Sequence, residues 1–336
     1  MAEGAIHFYC RKCGHVFTAE DPAACPVDGG LLIRFATGMP LVGEMIGFRY
    51  LLTGMIGEGG ICSIFAALDK ATKQRVAIKV MRPVKAIQDG WRHALLNEVS
   101  LARSISQENL VKVFQGGISQ GGYVFLSMEL LEGESLAARL ARQGRLGFED
   151  ACRVAISVAR ALGAIHASGH VHRDVKPENI FLCASAATRE LLPGNIKLMD
   201  LGVARPINAP AQGANVEGTP AYMSPEQVSG HQIDHRGDIY SLGIVLFEML
   251  SGKPCFDACD EREVMLAHIR EPAPLLPESI LESPSGRMLG DLVSRMLGKQ
   301  ANQRPASTNE VVCELDAILK VRQSGQEWPD ALRRCV

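Results

Sequence analysis

Gly57-Glu58-Gly59-Gly60-Ile61-Cys62 is a near match to the glycine-rich pattern G-x-G-x-x-G. In a dinucleotide fold such glycines must open a helix. Here Ser63 to Leu68 alternates like a strand and leads on to Val76 to Met81, which favours a hairpin laid over phosphates. Val76-Ala77-Ile78-Lys79 then sets a lysine on the third strand, where its ammonium can pair with phosphate oxygens, and Glu98 on the following apolar-striped helix can hold that ammonium in place. The strong signal is His172-Arg173-Asp174-Val175-Lys176-Pro177-Glu178-Asn179, followed about twenty residues later by Asp200-Leu201-Gly202. Taken singly, these features also read as a glycine turn, a surface ion pair and a loop carboxylate capping a turn. None of those readings accounts for all of them at these spacings.

The elements that must position these groups follow from periodicity. From Arg49 to Leu131 the pattern is strand-like, with Tyr50 to Met55, Ile64 to Leu68 and Val76 to Met81, and Asp69-Lys70-Ala71-Thr72 as the turn between the last two. Leu95, Leu96, Val99 and Ala102 recur at helical spacing between Ala86 and Ile105, and alternation returns at Leu110 to Phe114 and Tyr123 to Met128. This predicts a mostly antiparallel sheet carrying a single helix. From Glu134 to Val321 helices dominate, notably Glu149 to Ser168, Asp238 to Ser251 and the stretch after Pro305. The last opens with the capping-box pattern Ser307-x-x-Glu310 before Val311, Val312, Leu315, Ile318 and Leu319.

With these motifs in this order, the chain resembles the eukaryotic-like serine/threonine protein kinases of bacterial type, from Arg49 to Leu319, about four-fifths of the sequence. The resemblance implies an α+β, bilobal protein kinase fold: an antiparallel sheet with one helix as N-lobe and a mainly helical C-lobe. It implies that MgATP donates its γ-phosphate to serine or threonine hydroxyls of protein substrates. Asp174 would orient the attacking hydroxyl and accept its proton, Asn179 and Asp200 would hold Mg²⁺, and Lys176 would contact the γ-phosphate. Lys79, held by Glu98, would pair with the α- and β-phosphates. Ile56, Gly57, Glu58, Gly59, Gly60, Ile64 and Ala77 would frame the nucleotide. Met128 would stand at the back of the adenine pocket, Glu129 to Leu131 would form the hinge, and Glu134 would meet the ribose hydroxyls. Ser224-Pro225-Glu226 would close the activation segment with Arg304 as partner of Glu226, and Asp238 would tie down the catalytic loop. Lys176 and Gly218-Thr219 point to the serine/threonine branch. Two residues depart from the family pattern: Cys62 stands for the third glycine and Leu201 for a phenylalanine.

Two alternatives are set aside by residues present. A nucleotide-binding pseudokinase scaffold, signalling through protein interactions, predicts loss of Lys79, Asp174 or Asp200. A kinase of small molecules predicts a segment after Asp200 without Gly218-Thr219 and Ser224-Pro225-Glu226. From Val203 through Gly218 there is no Ser, Thr or Tyr, so the sequence predicts a kinase that is not switched on by phosphate in that stretch. Glu217 is the only acidic residue there to meet Arg173.

Ahead of this domain, Cys10-x-x-Cys13-Gly14 and Cys25-x-x-Asp28-Gly29 repeat one shape, a pair of ligand positions followed by glycine. That is the pattern of a zinc ribbon, with Cys10, Cys13, Cys25 and Asp28 as ligands of Zn²⁺ and His7 or His15 as substitutes for the fourth. So short a segment needs a staple, and its partner is not legible in the sequence. The expected organisation is a zinc-ribbon-like module over 1–36, a linker over 37–48, the kinase domain over 49–321 (N-lobe 49–131, C-lobe 132–321) and a tail over 322–336. With 35 basic and 37 acidic residues, a net charge of −2 gives no reason to expect nucleic acid. No membrane span or secretory signal is expected. The 47% apolar content is that of a globular protein, and the expected location is the cytoplasm, where the scattered cysteines would remain thiols.

Overall fold

The computed structural model describes residues 7–10, 16–18, 24–30, 32–35, 42–58, 62–81, 99–119, 123–184, 191–201, 204–207 and 219–324. Cys13, Gly59, Gly60, Glu98, Glu217 and Gly218 lie outside the described residues, as does the side chain of Cys10. The chain divides into two compact units, Met1–Ser104 with Val111–Leu131, and Ile105–Leu110 with Glu132–Val336.

In the first unit, strands β1 (His7–Cys10), β2 (Val16–Thr18) and β3 (Leu32–Phe35) form a small antiparallel sheet in the order β2-β1-β3. A six-stranded sheet has the order β4-β5-β6-β7-β9-β8, from β4 (Met45–Ile46), β5 (Tyr50–Glu58), β6 (Cys62–Asp69), β7 (Arg75–Met81), β8 (Val113–Ile118) and β9 (Val124–Glu129). Every pairing in it is antiparallel. Ile46, Tyr50, Leu52, Phe65, Ile78, Val80 and Phe125 are buried together on it. The turn after β6 is stapled by Asp69, whose carboxylate accepts from Ala71 N, Thr72 Oγ1 and the Arg49 guanidinium. The bond from Arg49 is the main reason that the carboxyl of Asp69 is held well below the usual carboxylate range.

Two boundaries differ from the sequence expectation, each for a physical reason. The sheet begins inside the expected linker: Gly47 (φ 58°) and Phe48 (φ 57°) turn the chain back, so that Met45 pairs with Leu51 and Ile46 with Tyr50. A two-residue strand is too short to show alternation. Further on, β8 starts at Val113 rather than Leu110. Asn109 and Leu110 are taken up by the second unit, where Asn109 Nδ2 donates to Ile196 O at 2.9 Å, Leu198 N donates to Asn109 O at 2.7 Å, and Leu110 bridges Leu198 in parallel.

The second unit is built on helices α1 (Leu136–Gln143), α2 (Phe148–Ala167), α3 (Pro225–Val228), α4 (Arg236–Ser251), α5 (Glu261–Arg270), α6 (Glu278–Leu281), α7 (Pro284–Met296) and α8 (Thr308–Ser324). α4 is buried nearly all round, the mark of a helix running through a core rather than along a surface. A Cβ at Gly243 would come within 2.9 Å of Met296 Cβ, so glycine there lets α7 approach α4 closely. α8 opens as its capping pattern implies, with Glu310 N donating to Ser307 Oγ, but the Glu310 carboxylate reaches Ala306 N instead of the Ser307 backbone. Two small sheets, β10 (Gly133–Ser135) with β12 (Ile180–Cys183) and β13 (Ile196–Leu198), and β11 (His170–Val171) with β14 (Arg205–Pro206), hold the polar loops between them. Among the described residues, no helix is long and apolar enough to cross a membrane.

Candidate active site

The polar loop of residues 172–179 leaves β11 and enters β12 through a 3-10 turn at Pro177–Asn179. Its backbone is held from beneath by Asp238, which is fully buried at the start of α4. Asp238 Oδ2 accepts from His172 N at 2.9 Å and Oδ1 from Arg173 N at 2.8 Å. His166 of α2 stands 2.7 Å from Oδ2. Burial works against the charge of Asp238, but the His166 bond and the neighbouring imidazoles and N–H groups outweigh it and keep the carboxyl below its ordinary value. The loop thus hangs on one buried carboxylate. Arg173 has φ 69°, a left-handed conformation that a side chain adopts only when its surroundings impose it. Those surroundings include Gln227, whose Nε2 donates to Arg173 O at 2.9 Å.

Asp174 is brought together with three other polar side chains. Lys176 Nζ lies 2.8 Å from Asp174 Oδ2, Asn179 Nδ2 donates to Oδ2 at 3.0 Å and to the Asp174 carbonyl at 2.8 Å, and Thr219 Oγ1 stands 3.3 Å from Oδ1. Lys176 Nζ also donates to Thr219 Oγ1 at 2.7 Å. With Nδ2 so engaged, the amide oxygen of Asn179 faces away from Asp174, a hard oxygen of the kind Mg²⁺ takes. The end of β13 is stitched to the same loop: Met199 N donates to Asn179 O at 2.8 Å, and Met199 O lies 3.2 Å from His172 Nε2. Asp200 follows directly with φ 63°, so a second oxygen ligand type stands at a constrained backbone position. The donor set, an amide oxygen and a carboxylate, fits a magnesium ion.

The segment following Thr219 is locked by two sets of contacts, of which the Glu226–Arg304 pair is the one expected from the sequence. Ser224-x-x-Gln227 forms a reciprocal capping box at α3, which orients Gln227 toward Arg173. Glu226 and the buried Arg304 form a two-pronged ion pair, Nη1 to Oε1 at 2.7 Å and Nη2 to Oε2 at 2.8 Å. The guanidinium also donates to Gly298 O and Arg236 O. His166, Gln227 and the pairing of Tyr222 with Glu248 (2.8 Å) were not singled out by sequence reasoning, and only the capping box could have signalled one of them.

The remaining expected residues belong to the first unit or to its junction with the second. Lys79 sits half-buried on β7, paired with Ile64 on one side and Leu126 on the other, and Ala77 pairs with Met128. Gly57 pairs with Ile64 and Glu58 with Ser63. Register shifts in β5 leave Ile56 unpaired and 55% exposed, an apolar side chain left uncovered by its own sheet. The N–H of Glu129 is engaged by Lys112 O at 2.9 Å, so an incoming base would have to use the Glu129 carbonyl or the backbone of Leu131. In the second unit, Oε1 of Glu134 is held by Arg139 Nε at 2.5 Å and Arg142 Nη2 at 2.6 Å, so only Oε2 is left for a ribose hydroxyl. In the N-terminal module, Cys25 Sγ accepts from Val27 N at 3.4 Å, and Asp28 Oδ1 from Gly30 N at 2.8 Å. Asp28 therefore already serves its own turn. Among the described residues there is no cluster of three or more His, Cys, Asp or Glu that could hold a metal.

A family model of the protein kinase domain matches residues 50–314, and the chain belongs to that family. Similar curated proteins include a protein named "Serine/threonine-protein kinases drp72" from Corynebacterium efficiens, 34% identical over 281 residues, which is 82% of this chain and 52% of that protein. Serine/threonine-protein kinase pkn3 of Myxococcus xanthus is 30% identical over 294 residues, 86% of this chain and 53% of its own length. Serine/threonine-protein kinase PknA of Mycobacterium tuberculosis is 34% identical over 247 residues, 72% of this chain and 56% of that protein. The chain spans about half the length of these relatives.

Proposed function

We propose that this protein is a serine/threonine protein kinase that transfers the γ-phosphate of MgATP to hydroxyls of protein substrates. The observation that carries the reading is the hydrogen-bonded set of Asp174, Lys176, Asn179 and Thr219. A pseudokinase scaffold would have no use for it. Asp174 takes the proton of the attacking hydroxyl as its oxygen bonds to the γ-phosphorus and the bond to the β-phosphate oxygen breaks. Asn179 and Lys176 fix the carboxylate for that transfer. Lys176 neutralises charge on the moving phosphoryl group, and Lys79, held by Glu98, aligns the other phosphates. Ile56, Gly57, Glu58, Gly59, Gly60, Ile64, Ala77, Met128, Glu129, Leu131 and Glu134 frame the nucleotide. Asn179 and Asp200 would hold Mg²⁺, which would supply positive charge against the phosphates. We place the activity in the cytoplasm. The buried Cys152 and Cys255 are unbridged thiols, which accords with a reducing compartment. Incubation of the purified chain with radiolabelled ATP, Mg²⁺ and dephosphorylated casein should label serine or threonine. Absence of any label, with nucleotide bound, would return the scaffold reading.

The N-terminal module over 1–36 is proposed to bind one Zn²⁺ through Cys10, Cys13, Cys25 and Asp28. Support comes from the doubled sequence pattern and from Cys25, which is buried and accepts the N–H of Val27 at its sulfur. Elemental analysis should find about one zinc per chain, reduced in Cys25→Ser. Metal-free protein with an intact module would end this proposal.

A further inference from the structure

Two arginines of α1 converge on one carboxylate oxygen. Arg139 Nε donates to Glu134 Oε1 at 2.5 Å, and Arg142 Nη2 donates to the same oxygen at 2.6 Å. The two stand three residues apart on the helix, so one face presents both. The bond from Arg139 is the main reason that the carboxyl of Glu134 is held below its ordinary value. Glu134 is therefore ionised at neutral pH and cancels one of the two positive charges. A surplus cation remains. Arg139 uses only Nε for this bond and Arg142 only Nη2, and among the described residues nothing else accepts from either guanidinium. The Nη pair of Arg139 is left as two parallel donors, the fork that matches an oxyanion. Neither group is closed off, since the side chain of Arg139 is 21% exposed and that of Arg142 57%.

This cation borders the loop that carries Asp174. α1 packs on the 3-10 turn Pro177–Asn179, and the Asn179 side chain bonds Asp174. On β10, Glu134 pairs with Leu182 of β12, the strand that runs on directly from Asn179. The first turn of α1 is fixed as well, because its N-cap Ser135 accepts from Ala138 N at 3.1 Å. The guanidiniums thus stand on a fixed frame beside the residues that must meet an acceptor hydroxyl. A neutral ribose hydroxyl at Glu134 would give the surplus charge no partner. A polypeptide laid across Asp174 carries its flanking side chains past this frame, and an anionic one among them would supply that partner.

We infer that Arg139 and Arg142 are specificity-determining residues that take a carboxylate or phosphoryl group carried by the polypeptide substrate beside its acceptor hydroxyl. The inference rests on the kinase reading and names a substrate class for it. Arg139 supplies the two-pronged grip and Arg142 the second charge, while Glu134 holds both side chains in place. A basic side chain in the same position is repelled.

The test compares full-length wild type, Arg139→Ala, Arg139→Lys and Arg142→Ala on neutral peptides with one acceptor threonine, in which a single aspartate, phosphoserine or asparagine is moved stepwise along either flank. At one position aspartate or phosphoserine should lower the peptide KM about tenfold relative to asparagine, the effect of hydrogen bonds to a charged group, with the KM for ATP constant within about twofold. Arg139→Ala should erase that difference and Arg142→Ala should reduce it. Arg139→Lys, a point charge without the fork, should keep only part of it. A preference for aspartate at least equal to that for phosphoserine assigns the site to acidic residues, and a stronger one for phosphoserine assigns it to substrates already phosphorylated. No preference at any position, a preference untouched in Arg139→Ala, or a loss in that variant that is as large for asparagine peptides or for ATP would overturn the inference. Fluorescence anisotropy of the labelled aspartate and asparagine peptides reads the same preference without turnover, and equal affinities would overturn the inference by themselves. If wild type labels neither the peptides nor casein, the kinase reading fails, and the anisotropy still decides whether the arginines select an anion.

Discussion

Lys176 Nζ donates to the hydroxyl of Thr219 at 2.7 Å across 43 residues of sequence, and the same ammonium lies 2.8 Å from Asp174 Oδ2. A hydroxyl in this place is part of the site's wiring rather than a target for modification. A phosphate there would set about −1.5 to −2 charges against the Asp174 carboxylate. Since 203–218 holds no Ser, Thr or Tyr, protein without phosphate in that stretch should be active, and phosphatase treatment should leave its activity intact. Thr219→Ala should lower kcat, with Thr219→Ser close to wild type. Loss of most activity on dephosphorylation, traced by mass spectrometry to Thr219, would contradict this.

Asp174→Asn should cut phosphoryl transfer by about 10²- to 10⁴-fold, the usual worth of a positioned base, while nucleotide affinity stays within a few-fold as judged by fluorescent-nucleotide titration. The carboxylate acts on the hydroxyl and not on ATP. Lys79→Met should abolish transfer as well, through misplaced phosphates.

The pair of Arg304 and Glu226 is structural, and its loss should be read in stability. The Arg304 side chain is 0% exposed and that of Glu226 13%. Removing one partner strands a buried charge, so Glu226→Ala should cost about 3–5 kcal/mol in urea denaturation. Replacing both by apolar residues of similar volume should cost less than the single change, because no charge is then left behind.

Stability should also fall on mild acidification through His268. Burial first, and then the Lys299 charge, push its pKa down to about 4. Between the ordinary imidazole value near 6.5 and about 4, the unfolded chain binds a proton that the folded chain does not, so stability is lost as pH falls across that window. The full effect is on the order of 3 kcal/mol from a shift of this size. His268→Gln should flatten that limb of the stability curve in denaturant titrations, and a slope unchanged by the substitution would assign the acid sensitivity to other groups.

Much of this was legible in the sequence because it is local. The segment from His172 to Asn179 places a carboxylate, an ammonium and an amide within eight consecutive positions, so a single tight loop suffices to bring them together. Strand alternation gave β6 and β7 and the seat of Lys79. Contacts across long separations were not legible, since no periodicity encodes them. The fold alone decided that Thr219 would meet Lys176, that Gln227 would buttress Arg173, and that Arg139 and Arg142 would claim Glu134. It also moved boundaries. Leu110 read as the start of a strand because it opens an alternating run, but the neighbouring Asn109 bonds Ile196 through its side-chain amide and Leu198 through its carbonyl, and Leu110 bridges Leu198. His268 shows the limit most plainly. In sequence it is one histidine on an amphipathic helix. Its burial and its surroundings are set by Tyr240, Phe256 and Lys299, residues that only tertiary packing brings to one imidazole ring.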